Sequence, residues 1–126
     1  CRKENDSEVN LAKHNKLGKE GELIAFMFLQ KENFHILKTN WRYQKAEVDI
    51  IAQKDGFLVF VEVKTRGSKK FGKPEEAIDK KKITLYKDAA EGYLEQYPSD
   101  AEIRFDVISI VLAKDEPQIE YFPDAF

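Results

Sequence analysis

Residues 46–65, AEVDIIAQKDGFLVFVEVKT, decide how this chain folds. Two apolar runs flank Asp55-Gly56, and an Asp-Gly pair between β-rich runs is a strong short-range hairpin signal. If those two residues form the loop, pairing runs outward from Lys54 and Phe57, so that Asp49 faces Glu62 and Glu47 faces Lys64. Strand side chains alternate faces, which predicts that Glu47, Asp49, Glu62 and Lys64 project from one face. Directly opposed side chains have Cβ atoms roughly 4.5–5.5 Å apart, and like charges so placed repel. Phe57 to Val63 is otherwise almost wholly apolar, as a central strand covered on both faces should be. Two carboxylates meeting there need a reason, and a bound divalent cation is the simplest.

Working outward, the spacing predicts a helix over Leu17 to Lys31, with Leu17, Gly21, Ile24, Ala25, Phe28 and Leu29 on one face. Glycine costs a helix about 1 kcal/mol relative to alanine, so Gly18 and Gly21 suggest close approach to another element. Glu22 lies beside that strip and either points inward or is an exposed glutamate favoured by the helix dipole. Cys1 to Lys16 is polar and without periodicity, and reads as a loose tail preceding a single domain over 17–126. Phe34 to Tyr43 is rich in β-formers, and Tyr43 to Ala46 supplies a turn into the hairpin. Pro74, Glu75 and Glu76 suit the first turn of a helix that reaches about Tyr97, with Asp79 able to act as a second N-cap. Ile78, Leu85 and Ala89 mark its buried side, and Pro98 ends it. Glu102 to Leu112 is a further apolar strand, whose crossover from Phe57–Thr65 implies parallel pairing. Gln118 to Phe122 fits a short edge strand. The expected class is α/β, in the order α-β-β-β-α-β, with helices flanking a mixed central sheet.

The chain has 126 residues, 42% hydrophobic and 35% charged, as in one soluble globular domain. No apolar run is long enough to span a bilayer, no signal peptide opens the sequence, and the single cysteine excludes a disulfide framework, so a cytoplasmic location without membrane contact is expected. His14 and His35 have no partners at metal-ligand spacing. The net charge of −2 is unevenly spread: Lys64 to Lys82 holds eight basic and three acidic residues, a local +5 against −7 elsewhere. Such a basic stretch next to an acidic pair suits a site for phosphodiesters; the plainer alternative is a solvated lysine-rich loop.

The ordered set Glu22, Asp49, Glu62-Val63-Lys64 resembles the PD-(D/E)XK nuclease superfamily, the restriction-endonuclease-like fold that includes Holliday junction resolvases. The similarity is closer to its bacterial YraN-like branch. It is carried by Gly18 and Gly21-Glu22, Asn40-Trp41-Arg42-Tyr43, Glu47-Val48-Asp49-Ile50-Ile51, and Val59 through Arg66. It continues through Phe71-Gly72, Ala77, Lys82, Ala89-Ala90, Arg104-Phe105-Asp106-Val107 and Asp124-Ala125-Phe126. An isolated E-x-K would carry nothing; the ordered set does. Ala46 stands where the branch usually has glycine, which would strain the turn if that glycine supplied a positive φ. Val48 stands where the superfamily's name has proline.

The resemblance implies a metal-dependent endonuclease acting on DNA, branched or structured DNA included. It implies Asp49, Glu62 and the Val63 backbone carbonyl as metal ligands, with Glu22 ligating directly or through water. Lys64 would orient or help activate the attacking water, as an electrostatic group rather than a neutral base, since nearby carboxylates favour a charged lysine. Mg²⁺, with Mn²⁺ as an alternative, takes oxygen ligands, keeps waters, and lowers the pKa of a bound one. Arg66, Lys69, Lys70 and Lys82 are the expected nucleic-acid contacts. A homodimer is compatible with the sequence and not derivable from it. Three other readings remain: a nucleic-acid-binding module on the same fold with little or no cleavage, a protein-interaction domain using the acidic face, and a structural ion cluster at the end of a sheet.

Overall fold

The computed structural model of the chain describes residues 2–67, 78–112 and 116–126, with side chains from Lys16 onward. Its elements are α1 (Arg2–Lys31), β1 (His35–Tyr43), β2 (Ala46–Lys54), β3 (Phe57–Arg66), α2 (Lys80–Gln96), β4 (Glu102–Val111) and β5 (Gln118–Phe122). The five strands form one open mixed sheet in the order β1-β2-β3-β4-β5. The β1–β2, β2–β3 and β4–β5 pairs are antiparallel, and β3–β4 is parallel across the α2 crossover. This is the α/β order that the hairpin and crossover predict.

The organising hairpin has its expected register, from Lys54–Phe57 to Ile50–Val61. Asp55 and Gly56 both have positive φ, 52° and 83°, as a tight two-residue turn matching the strand twist requires. In the preceding turn the positive φ falls on Gln44, at 53°, and Ala46 is a buried strand residue. The substitution of alanine for glycine at 46 therefore strains nothing.

Helix α1 begins at Arg2, which corrects the reading of residues 2–16 as a loose tail. No glycine or proline interrupts the chain before Gly18, so nothing local stops the helix from running back through a polar stretch. It ends at Asn33, in left-handed conformation, where Phe34 N–H reaches the Leu29 carbonyl at 2.9 Å. Asp79 caps α2 by accepting the Lys82 N–H at 2.8 Å, the role read from sequence; Pro74, Glu75 and Glu76 lie outside the described residues.

Two apolar layers enclose the sheet. On one face Ala25 and Leu29 of α1 pack with Ile50, Ala52, Val59, Val61, Val63, Ile108 and Ile110. On the other, Tyr86, Ala89, Ala90 and Tyr93 of α2 pack with Ala46, Val48, Ile51, Leu58 and Phe60. The expected α2 side is thus rotated toward its tyrosines, and Leu85 is only partly buried. Gly21 justifies the close approach read from sequence, because a Cβ there would overlap the Thr65 side chain of β3; Gly18 has open space around it. Gly92 plays the same part for α2, lying against the Tyr43 ring.

The layers also reveal a slip in strand alternation. Ala46 and Val48 belong to the α2 side, whereas Ile50 and Ala52 belong to the α1 side. Strict alternation would put all four on one face. The slip falls at Asp49, level with Asn40 of β1, whose φ of 49° turns the neighbouring strand at the same height.

Candidate metal and phosphodiester site

The slip controls the site. Val61 and Val63 face α1, so Glu62 and Lys64 of the same strand lie on the α2 side. Asp49 sits where β2 changes sides. Its Oδ2 reaches across the end of the ladder and accepts the Val63 N–H at 2.7 Å. The expectation that Glu47, Asp49, Glu62 and Lys64 share a face is therefore corrected: Asp49 meets Glu62 edge-on, between the layers. Glu47 does not pair with Lys64 but forms an exposed ion pair with Arg42, its β1 register partner, at 3.4 Å.

Asp49 and Glu62 are brought together as the sequence predicts. Glu62 is 5% exposed and Asp49 is partly buried. Burial, then the Glu62 charge, raise the Asp49 carboxyl from its ordinary 3.8 to about 8, against the Val63 N–H, which favours the charged form. A hydrogen bond shared with Glu62 and the more distant Glu22 charge push the same way. Asp49 is therefore held toward its protonated form until a cation or a higher pH removes the proton. Glu22 lines a cavity of about 280 Å³ with Lys19, Asn40 and Asp49, so it shares the site by field and access. Lys64 is half-buried on β3, two residues beyond Glu62.

Two further residues of α2 enter the site. Lys82 Nζ lies 3.1 Å from Glu62 Oε2 without the geometry of a hydrogen bond, which leaves that buried oxygen without a hydrogen-bond donor. Tyr86, 1% exposed, donates its hydroxyl to the Val61 carbonyl at 3.4 Å. Burial, then the Asp49 and Glu62 charges, hold its phenol well above the usual value. Sequence reasoning missed Tyr86, although Tyr86, Ala89, Ala90 and Tyr93 recur at the spacing of one helix face. Lys82 was expected only as a nucleic-acid contact. Of the other basic residues, Arg66 is half-buried at the end of β3, and Lys69 and Lys70 lie outside the described residues.

Among the described residues no group of three or more His, Cys, Asp or Glu side chains could hold a metal ion by itself. The donor set is two carboxylates, and it fits a hard cation of the Mg²⁺ type. Such an ion commonly takes one or two carboxylates and fills its shell with water and substrate phosphate. The buried Glu62 oxygen lacks a donor and the Asp49 carboxyl is held above its ordinary value, two costs that a cation between them would relieve.

A second charged cluster lies away from this site and is structural. Asp106, fully buried, accepts two 2.9 Å bonds from Arg104, the Asp124 N–H at 2.9 Å, and the Tyr121 hydroxyl. It ties β5 and the residues after it to β4.

Fold and site define an α/β protein with an open mixed sheet and two neighbouring carboxylates, one buried and one partly buried, where the β2–β3 ladder ends within its central strands. The chain belongs to the family described as "Uncharacterised protein family UPF0102", whose profile matches residues 21–110; this is the YraN-like family to which the motifs pointed. It is similar to a UPF0102 protein of Flavobacterium psychrophilum, 50% identical over 116 residues that cover 92% of this chain and 98% of that one. A UPF0102 protein of Christiangramia forsetii is 44% identical over 116 residues, with the same coverage. One of Bacteroides thetaiotaomicron is 40% identical over 116 residues, covering 92% and 96%. No helix of the described residues is long and apolar enough to cross a membrane.

Proposed function

We propose that this chain is a metal-dependent endonuclease that hydrolyses phosphodiester bonds in DNA, with branched or otherwise structured DNA in its range. The observation that supports this most is the Asp49–Glu62 pair: two carboxylates held together in the central strands, one of them buried with an oxygen that no hydrogen-bond donor reaches. Asp49 and Glu62, with the Val63 carbonyl beside them, would hold Mg²⁺ or Mn²⁺, and Glu22 would act on it through water from the shared cavity. When bound, the ion supplies Lewis acidity for the phosphoryl oxygens and a bound water that deprotonates more easily. The Val63 N–H fixes the Asp49 carboxylate through the bond to Oδ2. Lys64 carries its charge two residues beyond Glu62, where it orients the attacking water against the phosphate. Tyr86 keeps its proton and supports the Val61–Glu62 backbone from below.

Substrate is held by the basic stretch that follows the site, with Arg66, Lys69, Lys70 and Lys82 as the contacts. Neutralising Lys69 and Lys70 should flatten the dependence of log affinity on log salt by up to about 0.9 per lost contact on duplex DNA. An unchanged slope would put the DNA elsewhere. The decisive assay is cleavage of duplex, single-stranded, flap and four-way-junction DNA with Mg²⁺ or Mn²⁺, wild type against Glu62→Gln. Cleavage by neither protein on any substrate would leave a binding module in place of an enzyme.

A further inference from the structure

We propose that Lys82 is an internal stand-in for the metal ion, released toward substrate phosphate when the metal binds; this rests on the metal-site reading above. Glu62 is almost wholly buried, yet its Oε2 has no hydrogen-bond donor. The charge that faces it is the Lys82 ammonium, 3.1 Å away. The two ends of this ion pair differ in exposure: the Glu62 side chain is 7% exposed and that of Lys82 is 37%. Glu62 is fixed in the central strand, whereas Lys82 reaches in from the first turn of α2 on a flexible four-carbon stem. A cation arriving at Glu62 therefore displaces the lysine and not the carboxylate. The ammonium then has nearby solvent to move into, and substrate phosphate is the next anion that the reaction brings there.

Two consequences follow from this exchange. Metal and ammonium compete for one oxygen, so metal affinity in the absence of DNA is lower than the carboxylate pair alone would give. The charge also becomes available to phosphate only after metal loads, which makes DNA affinity depend on metal beyond direct metal–phosphate contact.

The test is calorimetric titration of Mn²⁺ into the metal-free protein without nucleic acid, for wild type, Lys82→Met and Lys82→Arg. Lys82→Met should bind Mn²⁺ up to about fivefold more tightly than wild type, the scale of losing one partly exposed ion pair. Lys82→Arg keeps the competing charge and should stay within about twofold of wild type. Equal or weaker binding by Lys82→Met, with wild type binding Mn²⁺ normally, would overturn the stand-in role while sparing the metal site. Wild type that binds no Mn²⁺ would instead remove the metal site and this inference with it. In a Lys64→Ala background, Mn²⁺ should raise affinity for duplex DNA by a larger factor with Lys82 present than with methionine. Equal factors would refute the release toward phosphate.

Discussion

Asp49→Asn separates a metal site from a structural ion cluster. Asparagine keeps the shape, still accepts the Val63 N–H through its carbonyl oxygen, and mimics the protonated acid toward Glu62. The wild-type carboxyl is raised from 3.8 to about 8, chiefly by burial and then by Glu62. The sign follows from linkage: in the window between the unfolded and folded values, the folded state keeps a proton that the unfolded state has released. Wild type therefore loses stability as pH rises through that window, by about 1.4 kcal/mol per pH unit. Asparagine does not titrate, so its advantage over wild type in chelator should be near zero at about pH 4 and grow by several kcal/mol as pH rises toward about 8. Urea titrations of both proteins across this range measure it. Added Mg²⁺ or Mn²⁺ should stabilise wild type by about 2.7 kcal/mol at 100 times its dissociation constant and leave the variant nearly unmoved. A variant less stable than wild type in chelator above about pH 8, or a wild type indifferent to both pH and metal, would refute the reasoning.

Three further outcomes are expected. Lys64→Ala should abolish cleavage or reduce it greatly while metal affinity by calorimetry stays close to wild type; loss of both together would make the lysine part of the metal shell. Gly21→Ala should lower stability by about 1–3 kcal/mol, because its Cβ overlaps the Thr65 side chain, and a thermal melt unchanged from wild type would place α1 farther from β3. Asp106→Ala should cost roughly 3 kcal/mol or more in urea denaturation by stranding Arg104 and Tyr121, yet leave Mn²⁺ affinity unchanged, which separates the structural cluster from the site.

Much of the fold was written in short-range signals. Asp55-Gly56 set the register up to Ile50–Val61, which leaves Asp49 next to Glu62, and Asp79 announced the start of α2. The geometry of the site was less legible. Strict alternation put Glu47, Asp49, Glu62 and Lys64 together, and it failed because β2 changes faces at Asp49, level with Asn40 and its left-handed conformation. Asparagine is one of the few residues that tolerates that conformation, so the identity of residue 40 hinted at the slip without fixing it. The ion pair of Glu62 with Lys82 and the place of Tyr86 depend on how α2 is rotated against the sheet, which long-range packing decides. Residues 2–16 misled for the opposite reason: their sequence is polar and carries no apolar periodicity to announce a helix.

The change of faces at Asp49 has a consequence for the order of folding. A hairpin of β2 and β3 can close around Asp55-Gly56 early, from contacts near in sequence, and it brings only the two carboxylates' backbones level. Glu22 arrives when α1 docks through Gly21, and Lys82 with Tyr86 when α2 completes the crossover to β4. Contacts spanning such separations form late, after the entropy of closing long loops has been overcome. Mutual repulsion and desolvation of the pair thus act mainly after the folding barrier, and they hasten unfolding more than they slow folding. A bound cation that cancels them would act as a latch, prolonging the life of the folded state while leaving its rate of formation nearly unchanged.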